Sequence, residues 1–559
     1  MKIVQTKPRQ AQASANADAV TQGRPDAVVK PKQEKKVAEN ASPAPAGTET
    51  RARQLIDQSR EGHPVGLAHS AQSGLHVRLQ SQLSGEAAPV VESDAAESLQ
   101  FSPAELKEAL AADIDIGLRM LRRFPPAITF FGGARIEKDD PYYEMGVDIG
   151  ARLAKAGIPP RTGAGPGIME AVPEGYKTAL KTLEGEAVDN RFIEVVLGAI
   201  SDPAPSFQPV IDGFAKGSDI PVSETQGFSI KLPYEQSMNE HIDRGEEMLK
   251  FVYRKLVLYE NARGLVTFPG GYGTLDELFE VWALAERGAH DDPMAVVGEK
   301  FWQPLLDPIE NVAVRGQRKL IPEDVWSRMF VTDDSDALLR HMSDRDTIGF
   351  ENDPHRLAAE LTEEIGAAVD TLASLPPAVS FLGAERLAAD DPTLEVARKI
   401  AAGITEAGQS ARVGGSEGVV EAVEQGVSAQ DPSRKIQGFQ REGDPALAAH
   451  GAVEVHFESS QPTTHKELLT RNIEGLVVMP GDLNTLDQLF TLLTEIQCGK
   501  VKPVPIVLVG SDYWGPIFDA VQSQMLNGER KTISAHDLTL FRIVDDADEA
   551  LQILGQKAG

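Results

Sequence analysis

A glycine-rich turn between a strand and a helix is where a backbone can hold an anion, and the chain has one at Pro269-Gly270-Gly271-Tyr272-Gly273-Thr274. The apolar run Leu265 to Phe268 leads into it, and a helical pattern follows whose first turn is expected to carry Asp276 and Glu277. Free N–H groups at a helix start point toward a bound phosphate, and the helix dipole favours negative charge there. Gly270, Gly271 and Gly273 permit close approach of a ligand to the main chain, and the Thr274 hydroxyl adds a donor. A second loop of the same kind, Gly163-Ala164-Gly165-Pro166-Gly167, follows another short apolar segment. Neither loop has the GxGxxG spacing of a dinucleotide site or the GK[ST] ending of a nucleotide triphosphatase, so neither NAD binding nor ATP hydrolysis is indicated.

"PGGYGTLDE" resembles the PGGxGTxxE signature of the Lonely Guy family, the cytokinin riboside 5'-monophosphate phosphoribohydrolases. Arg254-Lys255 stands 15 and 14 residues before Pro269, like that family's Arg-Lys element. "FFGGAR", which contains Gly133, and "TGAGPGIMEA" resemble its first two loops, and "GFSIKLPYEQSMN" resembles its longer bacterial members. The matches span about Pro125 to Asp307. The resemblance implies hydrolysis of the N-glycosidic bond of a nucleoside 5'-monophosphate, AMP or a related purine nucleotide, to free base and ribose 5-phosphate, without metal or redox cofactor. It implies that Glu277 orients the attacking water and faces an oxocarbenium-like centre, and that Arg254 holds substrate and offsets leaving-group charge. Gly270, Gly271, Gly273 and Thr274 would take the 5'-phosphate, with Gly133, Gly163, Gly165 and Gly167 in the facing loops and Lys255 assisting. Phe251-Val252 replaces the family's usual Met-His before the Arg-Lys pair, which leaves the base preference open. A decarboxylase label has been attached to such sequences, but no pyridoxal phosphate site is found. The alternative reading is a non-catalytic carrier of a nucleotide or of the molybdenum cofactor, whose carriers share the fold and the glycine motif.

The elements that must position these loops occur twice. A shift of 251 residues maps "PPAITFFGGAR" onto "PPAVSFLGAER" and "RTGAGPGIMEA" onto "RVGGSEGVVEA", and a shift of 211 maps "GLVTFPGGYGTLDELF" onto "GLVVMPGDLNTLDQLF". The first copy therefore holds about 40 extra residues, around "RFIEVVLGAISDPAPSFQPV". Ordered landmarks at fixed offsets mark a tandem duplication. Under the 211 shift Arg254 becomes His465, Glu277 becomes Gln488, Gly271 becomes Asp482 and Gly273 becomes Asn484; Lys466 keeps the place of Lys255. One working site per chain is expected, with the degenerate copy packed on the first as an intrachain pseudo-dimer, and a homo-oligomer open.

Short apolar runs ending in glycine alternate with amphipathic helical patterns, the pattern of buried parallel strands and crossover helices. The expected fold class is α/β, two tandem Rossmann-like doubly wound parallel-sheet domains at 101–350 and 351–559, preceded by a disordered arm at 1–100. That arm contains no Phe, Trp or Tyr and cannot bury enough apolar area to offset its ordering entropy. Ser102-Pro103-Ala104-Glu105 has the form of a capping box that opens the first helix.

Composition narrows the partners. Lys and Arg total 55 against 84 Asp and Glu, a net charge of −29, so nucleic acid is a poor partner. The single cysteine, Cys498, excludes an intrachain disulfide and reads as a packed thiol. No HExxH, CxxC or Cys/His cluster has zinc spacing. No signal peptide or membrane-length apolar stretch is evident, so a soluble protein of a reducing cytoplasm is expected.

Overall fold

The computed structural model describes residues 102–121, 124–185, 224–232, 237–290, 292–343, 354–444 and 447–555. The arm expected before residue 101 and the extra segment of the first copy lie outside them. All described residues belong to one compact unit, Gly47–Gly559.

Helix α1 (Pro103–Leu121) opens on the expected box: Ser102 N–H donates to Glu105 Oε2 at 2.9 Å, and Glu105 N–H to Ser102 Oγ at 3.4 Å. Strand β1 (Ala127–Phe131) is buried along its whole length, as a central parallel strand must be. Helix α2 (Pro141–Ala156) starts at Asp140, which accepts from Tyr142 N–H at 2.8 Å, and stops at Gly157 with φ 66°. Next come β2 (Pro160–Thr162), α3 (Ile168–Gly185), β3 (Gln226–Ile230), β4 (Arg244–Met248), α4 (Phe251–Tyr259), β5 (Ala262–Thr267) and α5 (Tyr272–Glu286). Strands β6 (Met294–Val297) and β7 (Met329–Thr332) complete a parallel sheet of order β4-β3-β2-β1-β5-β6-β7.

The chain winds outward from β1 to β4 and then crosses back to β5 on the other side of β1, so the sheet switches direction between β1 and β5. Doubly wound sheets bind ligands beyond the carboxyl ends of the strands at that crevice. Both Gly132-Gly133 after β1 and the loop after β5 open there, and Gly133 N–H donates to Pro269 O at 2.9 Å.

The second half repeats the plan. Helices α6 (Pro354–Ser374), α7 (Pro392–Glu406), α8 (Glu417–Gln430), α9 (Pro462–Thr470) and α10 (Leu483–Gln497) serve strands β8 (Ala378–Leu382), β9 (Ser410–Val413), β10 (Ile436–Arg441), β11 (Val453–Ser459), β12 (Ile473–Val478), β13 (Ile506–Val509) and β14 (Arg542–Val544). Their order, β11-β10-β9-β8-β12-β13-β14, is that of the first sheet, again all parallel. One buried device recurs in both halves. Arg161 donates to the carbonyls of Val257, Leu258 and Glu260 at the end of α4, and Arg412 donates to those of Leu468, Arg471 and Asn472 at the end of α9. A guanidinium at a helix C-terminus satisfies orphan carbonyls and complements the dipole, which ties the helix carrying Arg254 to the sheet.

The halves meet along α5 and α10. Both helices are apolar on most faces and buried nearly throughout, the signature of helices inside a core. They run antiparallel: Phe279 stacks on Phe490 with ring centres 5.5 Å apart, while Tyr272 meets the same ring edge-on at 5.6 Å. One hydrophobic core runs through both halves across this seam.

Candidate active site

A cleft of about 200 Å³ lies at the β1/β5 switch, where doubly wound sheets place their ligands. Gly133, Gly163, Gly165, Gly271, Gly273, Thr274, Arg254 and Glu277 all line it. Helix α5 begins earlier than its sequence pattern suggests: Gly271 is the N-cap, and Thr274 and Leu275 N–H both donate to its carbonyl. Asp276 and Glu277 are therefore in the second turn, not the first, because Tyr272 and Gly273 are already helical. The amides of Tyr272 and Gly273 precede the first intrahelical bonds, and both residues line the cleft.

Three expected site residues sit elsewhere. Gly167, at φ 70°, packs against the first loop, and a Cβ there would come 2.3 Å from Gly133 O. Gly270 tucks beneath the Thr274 side chain. Lys255 points away from the cleft, into the seam between the halves. There it is 2% exposed and pairs with Asp276 at 2.7 Å and with Glu280. Lys466, its counterpart, joins the same cluster through Asp487 at 2.7 Å and Glu280 at 3.1 Å. Three carboxylates that could ring a metal ion thus have two ammonium groups among them. Burial outweighs Lys466 and pushes the Asp487 carboxyl up to about 6. The ammonium groups of Lys255 and Lys466 overcome burial at Glu280 and hold it low.

Arg254 donates through Nη2 to Glu277 Oε1, and both side chains are more than nine-tenths buried. Burial is the largest influence on Glu277. It outweighs the Arg254 charge and pushes the carboxyl up to about 7. Arg254 Nε is buried without an acceptor, as are the hydroxyls of Thr494 and Thr532. Buried polar atoms are normally satisfied, and all three residues line the cleft. The site therefore presents a carboxyl poised near neutrality, an arginine with an unused donor, and two free hydroxyls.

The family model described as "possible lysine decarboxylase" matches residues 216–342 and 402–554, about half of the chain and part of each copy. The chain belongs to this family. Its curated relatives are named for one activity: a probable cytokinin riboside 5'-monophosphate phosphoribohydrolase of Arabidopsis thaliana is 31% identical over 86 residues, 15% of this chain and 43% of the relative. Cytokinin riboside 5'-monophosphate phosphoribohydrolases of Rhodococcoides fascians and Mycobacterium marinum are 32% and 46% identical over 87 and 78 residues, 15% and 13% of this chain and 42% of each relative. The chain spans less than half the length of these relatives. Lysine decarboxylation through pyridoxal phosphate calls for a lysine to form the Schiff base. Among the described residues lining the cleft there is none, and Lys255 and Lys466 are committed to the seam.

The two Lonely Guy copies share their sites end to end. Antiparallel packing brings the C-terminal end of α10 to the mouth of the first cleft, where Thr494, Gln497 and Cys498 form a wall together with Thr532. Sequence reading did not place these residues or Arg135 at the site, and it noted Phe251 only as a departure that bears on base preference. Motif spacing within one copy says nothing about which residues of the other copy face it; only the helix-to-helix register does. Burial pushes the Cys498 thiol up to about 11.

By the same symmetry the C-terminal end of α5 reaches the second copy's site, and charged side chains fill it. Glu385, in the place of Ala134, pairs with both Arg287 and Arg441, and its N–H donates to Asp482 at 3.0 Å. Asp482, in the place of Gly271, accepts from Thr485 N–H at 3.0 Å and from its hydroxyl at 2.9 Å, so the carboxylate caps its own helix where an anion would sit. His465 replaces Arg254, and burial lowers its basicity well below the usual imidazole range.

No described helix is long and apolar enough to cross a membrane.

Proposed function

We propose that the first copy hydrolyses the N-glycosidic bond of a nucleoside 5'-monophosphate, releasing the base and ribose 5-phosphate, with AMP or a related purine nucleotide as substrate. The observation that carries this reading is the buried Arg254–Glu277 pair set beside the amide-lined start of α5. Leaving of the base builds positive charge on the sugar and negative charge on the base. Glu277 carboxylate faces the sugar and accepts the proton of the attacking water, while Arg254 uses its unsatisfied donor on the substrate. The amides of Tyr272 and Gly273 and the Thr274 hydroxyl receive the phosphate. That fixes the nucleotide at one end and accounts for a preference over the free nucleoside. The activity for which the relatives are named, on a riboside 5'-monophosphate, supports the same reaction class.

Incubating the full chain with AMP and separating the products by chromatography tests the reading: free adenine and ribose 5-phosphate are expected from wild type and not from Glu277→Gln. Equal adenine release by both proteins would overturn it. The change is sterically mild, since Gln488 occupies the same buried position in the second copy.

A further inference from the structure

We infer that Arg135 supplies the cation for the substrate's 5'-phosphate, and that the replacement of a carboxylate by Gln497 is what keeps it available. The inference rests on the proposed nucleotide reading of this same cleft and names the residue that makes it selective for a phosphate. A phosphate monoester near neutral pH carries close to two charges. The α5 start and the glycine loops offer only partial charges, in a chain whose net charge is −29. A full positive charge is needed nearby, and among the described residues the basic ones that line the cleft are Arg135 and Arg254. Arg254 is committed to Glu277. Lys255, the cation the sequence suggests, is locked in the seam. Arg135 stands on the Gly132-Gly133 loop at the β1/β5 switch, exposed on the rim of the cleft, and among the described residues its guanidinium has no ion-pair or hydrogen-bond partner.

The second copy provides the internal comparison. There the equivalent arginine, Arg386, lies 3.6 Å from Glu286 at the end of α5. The residue equivalent to Glu286 at the end of α10 is Gln497, which lines the first cleft. One position thus holds a carboxylate in the site that has lost its chemistry and a neutral amide in the site that retains it. A carboxylate beside Arg135 would compete with the phosphate for the guanidinium. Its absence leaves the planar fork free to take two phosphate oxygens.

Calorimetric titration of the full chain with ribose 5-phosphate tests this independently of turnover, and steady-state kinetics with AMP complements it. Arg135→Gln is expected to weaken ribose 5-phosphate binding by about tenfold and to raise KM for AMP with little change in kcat. Gln497→Glu, which copies the second site, is expected to do the same, and the double variant to add little to either alone. Unchanged ribose 5-phosphate affinity in Arg135→Gln overturns the inference, as does a wild-type chain that does not bind this ligand. If wild type binds ribose 5-phosphate through Arg135 but releases no adenine from AMP, the proposed reaction fails and the inference stands. If AMP is cleaved and Arg135→Gln leaves its KM unchanged, the inference fails and the reaction stands.

Discussion

Glu280 of the first copy ion-pairs with Lys466 of the second at 3.1 Å while also pairing with Lys255 of its own half. The position symmetric to Glu280 is Thr491, whose hydroxyl lies 3.3 Å from Lys255 Nζ and donates to Asp276. A true twofold repeat would put a second glutamate at the seam, making four carboxylates. The substitution removes one and leaves three carboxylates for two lysines. Removing one partner of a buried ion pair leaves the others uncompensated, which typically costs about 3–5 kcal/mol. Glu280→Gln is therefore expected to lower unfolding stability by about that amount in urea titrations. A loss below about 1 kcal/mol would mean the cluster is far better solvated than its burial implies.

Glu277 sets a pH dependence. Its carboxyl, pushed up to about 7 by burial, must be ionised to accept a proton from water. The rate of AMP cleavage is therefore expected to climb with pH and level off above about 7, and a profile flat from pH 5 to 8 would count against the assignment. Stability should run the other way. Glu277 and Asp487 both hold protons in the folded chain that the unfolded chain releases nearer the ordinary carboxyl range. Their contribution is thus fully favourable below the unfolded value and falls as pH rises to about 7. Urea midpoints measured across that window report the direction.

Cys498 gives a probe of the wall contributed by the second copy. With its thiol pushed up to about 11, little thiolate exists at neutral pH, so a thiol reagent should label the folded chain about a hundredfold more slowly than the unfolded chain. Ribose 5-phosphate in the cleft should slow labelling further. Protection that does not depend on the ligand would place the thiol outside the ligand's reach.

Much of this was legible in the sequence because it is carried by backbone demands. Asp140-Pro141, Gly157 and the two glycine loops must sit at caps and turns wherever the fold occurs, and the repeated landmarks exposed the duplication. Helix phase was less legible. Arg254 and Lys255 are adjacent, yet a helix sends adjacent side chains about 100° apart, so one faces the cleft and the other the seam. Reading them as a pair hid that division. The wall of Thr494, Gln497 and Cys498 was hidden for a different reason. It depends on which turn of α10 meets the start of α5, a register fixed by packing such as Phe279 on Phe490 rather than by any local signal.

Gly271 tests the proposed anion site at the start of α5. Its φ is −97°, so no left-handed backbone requires glycine there. The constraint is space: a Cβ would come 2.8 Å from Thr532 O in the second half. Gly271→Asp copies Asp482 and should place a carboxylate over the Thr274 amide, as Asp482 does over Thr485. The cap would contribute about 1 kcal/mol, while the crowding against Thr532 costs about 1–3 kcal/mol, so the folded chain should survive with a modest net loss. Binding should not survive, because the new charge occupies the place of the phosphate and repels it. Gly273→Asn, copying Asn484, separates the two effects, since a Cβ at 273 meets only the Thr494 methyl at an ordinary 3.6 Å. Ribose 5-phosphate affinity is expected to fall at least a hundredfold in Gly271→Asp and far less in Gly273→Asn, about 3 kcal/mol of charge repulsion against a mild steric change. Wild-type affinity in Gly271→Asp would show that the anion does not bind at the start of α5.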